Sequence, residues 1–338
     1  MEIEFVIAAP PGSDPASLDQ IPAVRAAYAR GPVQTDSAED AVAGYWFRRF
    51  GVARQDDWPA APFRLSAAQA GSDYWLCADP VYLQLDRDRM LLDQDAVADL
   101  DAGQADALIG MLNAHFGLDG LHFVAVSPRM WVLRPPRAVA LAAARPAQAA
   151  GLPAAQAMPS GPDAAWARRL ANETQMLLHQ SSVNQAREAR RLWPVNSLWF
   201  WGGGQRRAAG AASVPATTLL FSSVKHVREL AQAAGIQARP LPPAWPQVGV
   251  EIASGPARKV LIDLTDMSSM GQSSADWTGH LQSAWLAPAQ AAAASANLHF
   301  WSVVLTPAGS FKTRLYGRDL FHFLRGKSLA HYVDKRQN

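Results

Sequence analysis

The segment PVNSLWFWGGGQRR, residues 194–207, places large aromatic rings beside consecutive glycines and arginines. Such rings can present an apolar surface to a ligand, a partner protein or a nucleic-acid base, which makes Trp199 and Trp201 candidates for an interaction surface. The same rings can instead pack a strand between two layers. Because successive strand residues point to opposite faces, Trp199 and Trp201 share one face and Phe200 takes the other. We favour packing.

The glycine run that follows could bring backbone amides close to an anion. Gly202, Gly203 and Gly204 permit positive φ and a close approach of backbone to a neighbour or ligand. However, the run lacks the spacing of the dinucleotide-binding fingerprint and continues into RRAAGAAS rather than into an apolar helix. It is therefore a weak signal for a phosphate-binding loop.

Arginines before and after this segment could form an anion site, because a guanidinium group binds phosphate or carboxylate with two parallel hydrogen bonds. They are Arg129, Arg134, Arg187, Arg190, Arg191, Arg206 and Arg207. A solvated helix face is the alternative, and we favour it for Arg190 and Arg191. A small anionic ligand is thus one partner that the sequence allows.

Other polar side chains give weaker signals of chemistry. Asn184 and Asn196 each follow a valine, in SSVN and WPVN, and their amides could orient a ligand or tie loop backbone together. We favour the structural role. The histidines are scattered, with no H-x-x-x-H pair, so a histidine metal site has little support. The one cysteine, Cys77, excludes an intramolecular disulfide, and we expect an inert core thiol.

The overall charge does not require a nucleic-acid partner. Of 338 residues, 31 are lysine or arginine and 29 are aspartate or glutamate, which gives a net charge of +2. A balance this even argues against a strongly polyanion-binding protein, and no recognised nucleic-acid module is present. The 12 tryptophans, some of them beside arginines, suit an interface with another protein better. We therefore expect a protein partner.

The elements that must position these groups alternate along the chain. Strand-like segments such as EFVIAA, TTLLFSS, KVLIDL and LHFWSVVL are separated by helical segments such as DAGQADALIGMLNAHFG and VKHVRELAQAAG. This alternation predicts an α/β fold with a mostly parallel sheet, and the continuous apolar strands predict that both sheet faces are covered. A further helix after Asp163 is predicted to point Trp166, Leu170, Met176 and Leu177 inward.

Targeting signals are not evident in the sequence. No segment reaches the ~18 apolar residues of a membrane-spanning helix, and the segment MEIEFVIA is too acidic and too short for a signal peptide. Together with the low cysteine content, these observations predict a cytoplasmic protein that has no membrane partner.

Several motifs occur in an order that resembles a known family. They are YWLCADPVYLQL followed by DLDAGQADALIGMLN, the turn SPRMWVL, then HQSSVNQAR and PVNSLWFWGGG. This order is similar to that of the archaeal-type cofactor-independent phosphoglycerate mutases of the alkaline phosphatase superfamily. The text NSLWFWGGG is most similar to the subfamily called regulatory protein RpfE type.

The resemblance implies a fold and a division of the chain. We expect an alkaline-phosphatase-like, mostly parallel sheet flanked by helices, formed by residues 1–72 and 192–338, with a smaller α+β insert at residues 73–191. The resemblance also implies that Arg129 and Arg187 suit a phosphate or carboxylate of a substrate.

The chain departs from the family at positions that carry chemistry. Family members bind two divalent cations through aspartates and histidines and add a serine or threonine nucleophile, because phosphoryl transfer needs charge neutralisation and an activated oxygen. Here the first strand ends in AAPPG rather than in Asp-Gly, and Met130 and Met270 stand where histidines would be. Near one former metal site only aspartates remain, namely Asp263, Asp266 and Asp276.

These departures predict a catalytically degenerate relative that acts as a regulatory or protein-interaction factor, with an anion pocket kept near Arg129. No cofactor is expected. The alternative is an active phosphoglycerate mutase-like or phosphatase-like enzyme that holds Mn or Zn at Asp263, Asp266 and Asp276. A second alternative is an accessory factor in nucleic-acid metabolism that binds single strands.

Overall fold

The computed structural model of the chain describes residues 1–8, 15–30, 33–36, 41–86, 89–93, 95–149, 158–210, 214–253, 255–266, 277–293, 298–306 and 309–315. Its strands are β1 (Glu2–Ala8), β2 (Gln34–Asp36), β3 (Tyr74–Asp86), β4 (Arg89–Asp93), β5 (His122–Ser127), β6 (Met130–Arg134), β7 (Ser197–Gln205), β8 (Thr218–Ser222), β9 (Gln237–Pro240), β10 (Lys259–Leu264), β11 (His299–Thr306) and β12 (Gly309–Leu315).

The α-helices are α1 (Pro22–Arg30), α2 (Ala41–Arg49), α3 (Ala67–Ala70), α4 (Ala102–Phe116), α5 (Pro146–Ala149), α6 (Ala164–Gln180), α7 (Ser182–Ala189), α8 (Lys225–Ala233), α9 (Trp245–Ala253), α10 (Trp277–His280) and α11 (Ala287–Ala293). A π-helix, Leu281–Leu286, joins α10 to α11. Short 3-10 helices lie at Pro15–Gln20, Ala61–Phe63, Asp95–Val97 and Gly117–Asp119.

The first compact unit, Met1–Val52 with Ala209–Asn338, is built on a sheet that has seven strands within the described residues. The strand order is β2-β12-β11-β1-β10-β8-β9, and the pairings from β11 to β9 are all parallel. Antiparallel pairings add β12 and β2 at one edge. The predicted α/β class with a mostly parallel sheet is confirmed.

Apolar residues on one face of this sheet form the core of the first unit. Phe5 and Ile7 of β1 and Ile262 of β10 are fully buried there, beneath residues of α1, α9 and the α10–α11 run. On the opposite face, where Glu4 alternates with these residues, α2 packs against β11 and β12. Helices therefore cover both faces, as the continuous apolar strands predict.

The second unit, Ala53–Ala208, holds a smaller antiparallel sheet. Its strands follow the order β4-β3-β6-β5, and β7 pairs with β3. Helix α4 begins after Asp101, whose carboxylate accepts a hydrogen bond from the Gln104 amide at 2.8 Å, and it buries Leu108 and Leu112. An antiparallel sheet combined with helices agrees with the predicted α+β character of the insert.

The bounds of this unit differ from the predicted insert, 73–191, at both ends. Strand β7 lies in the second unit because it hydrogen-bonds to β3 over most of its length. Segment 53–72 lies there because its 3-10 helix, Ala61–Phe63, packs against β3 and β7.

One prediction about helix α6 is wrong. Leu170 is buried as predicted, but Met176 is 66% exposed. The inner face continues instead through Thr174 and Leu178, which follow Leu170 at four-residue intervals and are fully buried. The helix therefore presents a methionine to solvent and a threonine to the core.

Two further expectations concern the environment of the chain. Cys77 is buried in β3, and burial raises the pKa of its thiol, as expected of an inert core cysteine. No helix in the described part of the chain is both long enough and apolar enough to cross a membrane.

Candidate functional site

The carboxyl edge of the parallel sheet carries the aspartate at which the resemblance implies a metal. Asp263, near the end of β10, is 1% exposed. Its Oδ2 accepts a hydrogen bond from Ser222 Oγ at 2.6 Å, and its Oδ1 accepts from the Thr265 hydroxyl at 2.7 Å and from the Thr265 amide at 3.1 Å. Protein donors therefore occupy both oxygens of this carboxylate.

The other predicted metal ligands do not complete a cation site in the structure. Asp266 is half-buried beyond the end of β10, and Asp276 lies outside the described residues. Within the described residues, no group of three or more histidine, cysteine, aspartate or glutamate side chains is placed to hold a metal ion. A two-metal centre needs several such ligands for each ion, so the described donors do not fit one.

A buried ionic cluster on the α2 side of the same sheet was not predicted from the sequence. Glu4 is fully buried and lies 2.8 Å from Arg49 Nη2, 2.7 Å from Lys312 Nζ and 3.6 Å from Lys259 Nζ. The Tyr45 hydroxyl donates to it at 3.0 Å. Burial alone would raise the pKa of Glu4, but the three cations outweigh burial and lower it. The one signal in the sequence was an acid between apolar residues of the first strand.

The Glu4 cluster should make the first unit sensitive to acid. Because the folded-state pKa of Glu4 lies below its ordinary value of 4.5, its stabilisation is complete above pH 4.5 and is lost as pH falls through the folded-state pKa. We expect Glu4→Gln to cost about 2 kcal/mol at pH 7, less than for a fully buried pair because the cations keep some contact with water. Urea unfolding at several pH values measures this.

The matched control for this prediction is Glu2→Gln, because Glu2 also contacts Lys259 but is 37% exposed. We expect the control to leave stability nearly unchanged at pH 7. Below pH 4.5, stability should fall less steeply in Glu4→Gln than in the wild-type chain. If stability falls equally steeply with pH in Glu4→Gln and in the wild-type chain, the assignment of this acid sensitivity to Glu4 is wrong.

The three aromatic residues of β7 are buried in the second unit. Trp199 Nε1 donates to the Ala144 carbonyl at 2.8 Å, and Trp201 Nε1 donates to Asp79 Oδ2 at 2.7 Å. Phe200 packs into the apolar core on the other face of the strand. This burial favours the packing interpretation over an exposed aromatic surface at Trp199 and Trp201.

A buried ion pair lies beneath Trp201, and it was not predicted from the sequence. Arg64 and Asp79 are 5% and 1% exposed and are joined by two hydrogen bonds, one of them 2.9 Å from Arg64 Nη2 to Asp79 Oδ2. Arg64 Nη1 also donates to the Trp131 carbonyl, and its guanidinium carbon lies 5.0 Å from the centre of the Trp201 ring. The available signal was an acid inside the otherwise apolar stretch WLCADPVYL.

The glycines after the aromatic residues are required by close packing. Gly202 has φ of +63°, and a Cβ there would lie 2.9 Å from Ala60 Cβ. A Cβ on Gly203 would lie 2.1 Å from the Tyr74 hydroxyl, and one on Gly204 would lie 2.6 Å from Pro59 Cβ. The Gly202 amide donates to the buried Asp57 carboxylate at 2.9 Å. These glycines therefore let β7 pack closely against its neighbours in the second unit.

Asn184, Arg187 and Asn196 act together on the chain that leads into β7. Asn184 Nδ2 donates to the Val195 carbonyl at 2.7 Å, and the Val195 amide donates back to Asn184 Oδ1 at 2.9 Å. Arg187 Nε donates to the Trp193 carbonyl at 2.9 Å. Asn196 exchanges two hydrogen bonds with the backbone of Leu83, at 2.7 and 2.8 Å. Their side chains therefore position backbone, which is the role that we favoured for both asparagines.

The two arginines predicted to bind an anion each face a carboxylate of the protein itself. Arg129 lies in the β5–β6 turn, with Nη1 3.6 Å from Asp95 Oδ1. Arg187 is fully buried, and its Nη2 donates to Asp99 Oδ1 at 2.7 Å. Both acids belong to the segment between β4 and α4. An external anion at Arg129 would have to compete with Asp95.

The remaining predicted arginines take separate positions. Arg134 pairs with Asp73 at 3.0 Å, and Arg206 donates to backbone carbonyls while it lies 4.6 Å from the centre of the Phe63 ring. Arg190, Arg191 and Arg207 are exposed.

Comparison with known proteins finds similar solved structures. No family model matches the chain, and no curated protein matches it. A cofactor-independent phosphoglycerate mutase from Thermoplasma acidophilum DSM 1728 is 12% identical, covers 98% of this chain and 94% of its own, and has a TM-score of 0.43. The PH0037 protein from Pyrococcus horikoshii is 12% identical, covers 98% of this chain and 92% of its own, and has a TM-score of 0.52. The TM-score of the mutase is too low to support an argument. The likeness to PH0037 shows a shared fold and nothing more.

Proposed function

We propose that this chain is a phosphoglycerate mutase-like protein that does not transfer phosphoryl groups and acts as a regulatory factor by binding another protein. The observation that carries the proposal is the internal engagement of Asp263. A carboxylate offers about four lone-pair positions, and the Ser222 hydroxyl and the two donors of Thr265 take three of them. In this proposal Asp263 has a structural role: it holds Ser222 and Thr265 in place at the sheet edge.

The family assignment within this proposal rests on the motifs of the sequence. The order of YWLCADPVYLQL, SPRMWVL, HQSSVNQAR and PVNSLWFWGGG supports a mutase-like origin, and NSLWFWGGG supports the RpfE-type subfamily. A cytoplasmic location and the absence of a cofactor belong to the same proposal. Arg129, which is partly exposed, is the place where a small anion would bind in exchange for Asp95.

The rival function is a metal-dependent mutase or phosphatase. In that case Asp263, Asp266 and Asp276 would hold Mn²⁺ or Zn²⁺, and the metal would supply charge neutralisation for a phosphate ester. Asp263 would then have to exchange its hydroxyl donors for a cation. The two functions therefore make opposite predictions about an Asp263 variant.

Asp263→Asn should change stability rather than turnover. An amide nitrogen cannot accept a hydrogen bond, so either Ser222 or Thr265 loses its acceptor at a cost of about 1–3 kcal/mol. With Mn²⁺ present, we expect neither the wild-type chain nor the variant to convert 3-phosphoglycerate or hydrolyse p-nitrophenyl phosphate above the buffer rate. A coupled assay and a urea titration measure the two effects.

Asp266→Asn is the matched control, because Asp266 is half-buried beyond the same strand. We expect it to change stability less than Asp263→Asn does. Turnover that depends on Mn²⁺ and disappears in Asp263→Asn would overturn the proposal and establish the rival enzyme.

A further inference from the structure

An exposed tryptophan packs against a partly buried tyrosine beside the segment that the buried side chains hold. Trp193 is 55% exposed, and its ring lies 4.7 Å from the ring of Tyr82, centre to centre, at 45°. We name this pair the Trp193–Tyr82 platform. Nothing in the function proposed above uses it, and aromatic side chains are enriched at protein interfaces relative to the rest of the surface.

The backbone beneath both rings is fixed from the inside of the second unit. Arg187, fully buried, donates to the Trp193 carbonyl, and Asn184 makes two hydrogen bonds to Val195, two residues further on. Asn196 makes two hydrogen bonds to Leu83, the neighbour of Tyr82. A surface that is already ordered loses little conformational entropy when a partner binds.

Two exposed arginines lie next to the platform in the chain. Arg191 has φ of +59°, a left-handed conformation that is unusual for a side chain of this size. It follows Arg190, the residue that caps the C-terminus of α7, and lies two residues before Trp193. The Leu192 amide donates to the Arg187 carbonyl at 3.0 Å and closes this turn. Arg190 and Arg191 are both exposed, and neither forms an ion pair with another described residue.

We infer that the Trp193–Tyr82 platform, with Arg190 and Arg191, binds an acidic segment of a partner protein that also carries an apolar side chain. Tryptophan, tyrosine and arginine are the residues that most often dominate protein interfaces. The arginines would pair with carboxylates, and the rings would cover the apolar side chain. The inference rests on the proposed binding function and names the surface and the chemistry of the partner.

The balance of charge favours a protein over a nucleic acid. Single-stranded nucleic acid is bound by a basic groove that follows the backbone over several nucleotides. The charges beside the platform are mixed: Arg190 and Arg191 are exposed, but so are Glu188, which precedes them on α7, and Asp93, which pairs with Tyr82 across β3 and β4. Two adjacent arginines are enough to pair with the carboxylates of a short acidic peptide.

Selection from a display library of random 12-residue peptides tests the inference with the full chain as bait. We expect peptides that bind the wild-type chain to be rich in aspartate and glutamate and to contain an aromatic or large aliphatic residue. A synthetic peptide of the selected consensus should bind at least tenfold more weakly to Trp193→Ala and to the Arg190→Glu/Arg191→Glu variant. Its affinity should also fall as salt is added.

The control variant is Met176→Ala, which removes another exposed apolar side chain and should leave peptide binding unchanged. Near-UV circular dichroism confirms that each variant is folded. Recovery of no peptide, recovery of neutral or basic peptides, or equal binding to Trp193→Ala would overturn the inference. Tighter, Trp193-dependent binding of a 20-nucleotide oligo-dT would overturn it in favour of nucleic acid.

The outcome is separable from the test of the proposed function. An Mn²⁺-dependent enzyme that still selects acidic peptides through Trp193 would overturn the function and leave the platform intact. A chain without turnover that selects no such peptides would overturn the platform alone.

Discussion

Replacing Asp79 with alanine should lower the free energy of unfolding by about 3–5 kcal/mol, because it leaves a buried guanidinium without its counter-ion. Arg64 is 5% exposed, and its Nε finds no hydrogen-bond partner in the part of the chain that the structure describes. The same change removes the acceptor of Trp201 Nε1. Urea unfolding followed by hydrogen exchange at β3 and β7 amides would measure the loss in the second unit.

The double variant Arg64→Met/Asp79→Leu is the control for this prediction. It replaces the ion pair with apolar side chains of similar size, which is often neutral in a buried setting. We expect it to recover most of the stability that Asp79→Ala loses. If the double variant is as unstable as Asp79→Ala, lost packing rather than an unpaired charge explains the effect.

Gly202→Val should lower the free energy of unfolding by about 2–5 kcal/mol, the sum of two separate penalties. The left-handed φ of +63° costs an ordinary residue about 1–2 kcal/mol, and a β-branched residue more. The added side chain would begin 2.9 Å from Ala60 Cβ, and such overpacking costs about 1–3 kcal/mol. The same unfolding measurement applies.

Gly110→Ala provides a matched glycine substitution in the second unit. Gly110 is exposed on α4, and a Cβ there would meet nothing within 4 Å. Alanine is a better helix former than glycine, so we expect a gain of about 0.5–1 kcal/mol. A Gly202→Val chain as stable as the wild type would show that the β7 glycines are dispensable, contrary to our packing interpretation.

The architecture was predictable because it depends on periodicity, which the sequence displays directly. The apolar runs KVLIDL and LHFWSVVL appear as β10 and β11 of a parallel sheet, and Asp101 caps α4 as its position indicates. The exposure of Met176 was not predictable from residue type, because α6 buries Thr174 in its place. Helical phase, not hydrophobicity, decided which side chain faced the core.

The polar contacts of the site were less predictable, because they join residues far apart in the sequence. Arg64 and Asp79 lie on different elements, and Glu4 meets Lys312 only after the sheet has formed. The structural role favoured for Asn184 and Asn196 agrees with their backbone hydrogen bonds. The sequence did not indicate that these bonds fix the backbone beneath an exposed tryptophan.

The central claim is that Asp263 has a structural role at the sheet edge and does not belong to a metal centre. Measuring the bound metal tests this claim most directly. The wild-type and Asp263→Asn chains would be dialysed against Mn²⁺ and against Zn²⁺, washed with metal-free buffer and analysed for bound metal per chain. We predict that neither chain retains a stoichiometric ion. Retention of about two ions per wild-type chain, lost in Asp263→Asn, would contradict the claim.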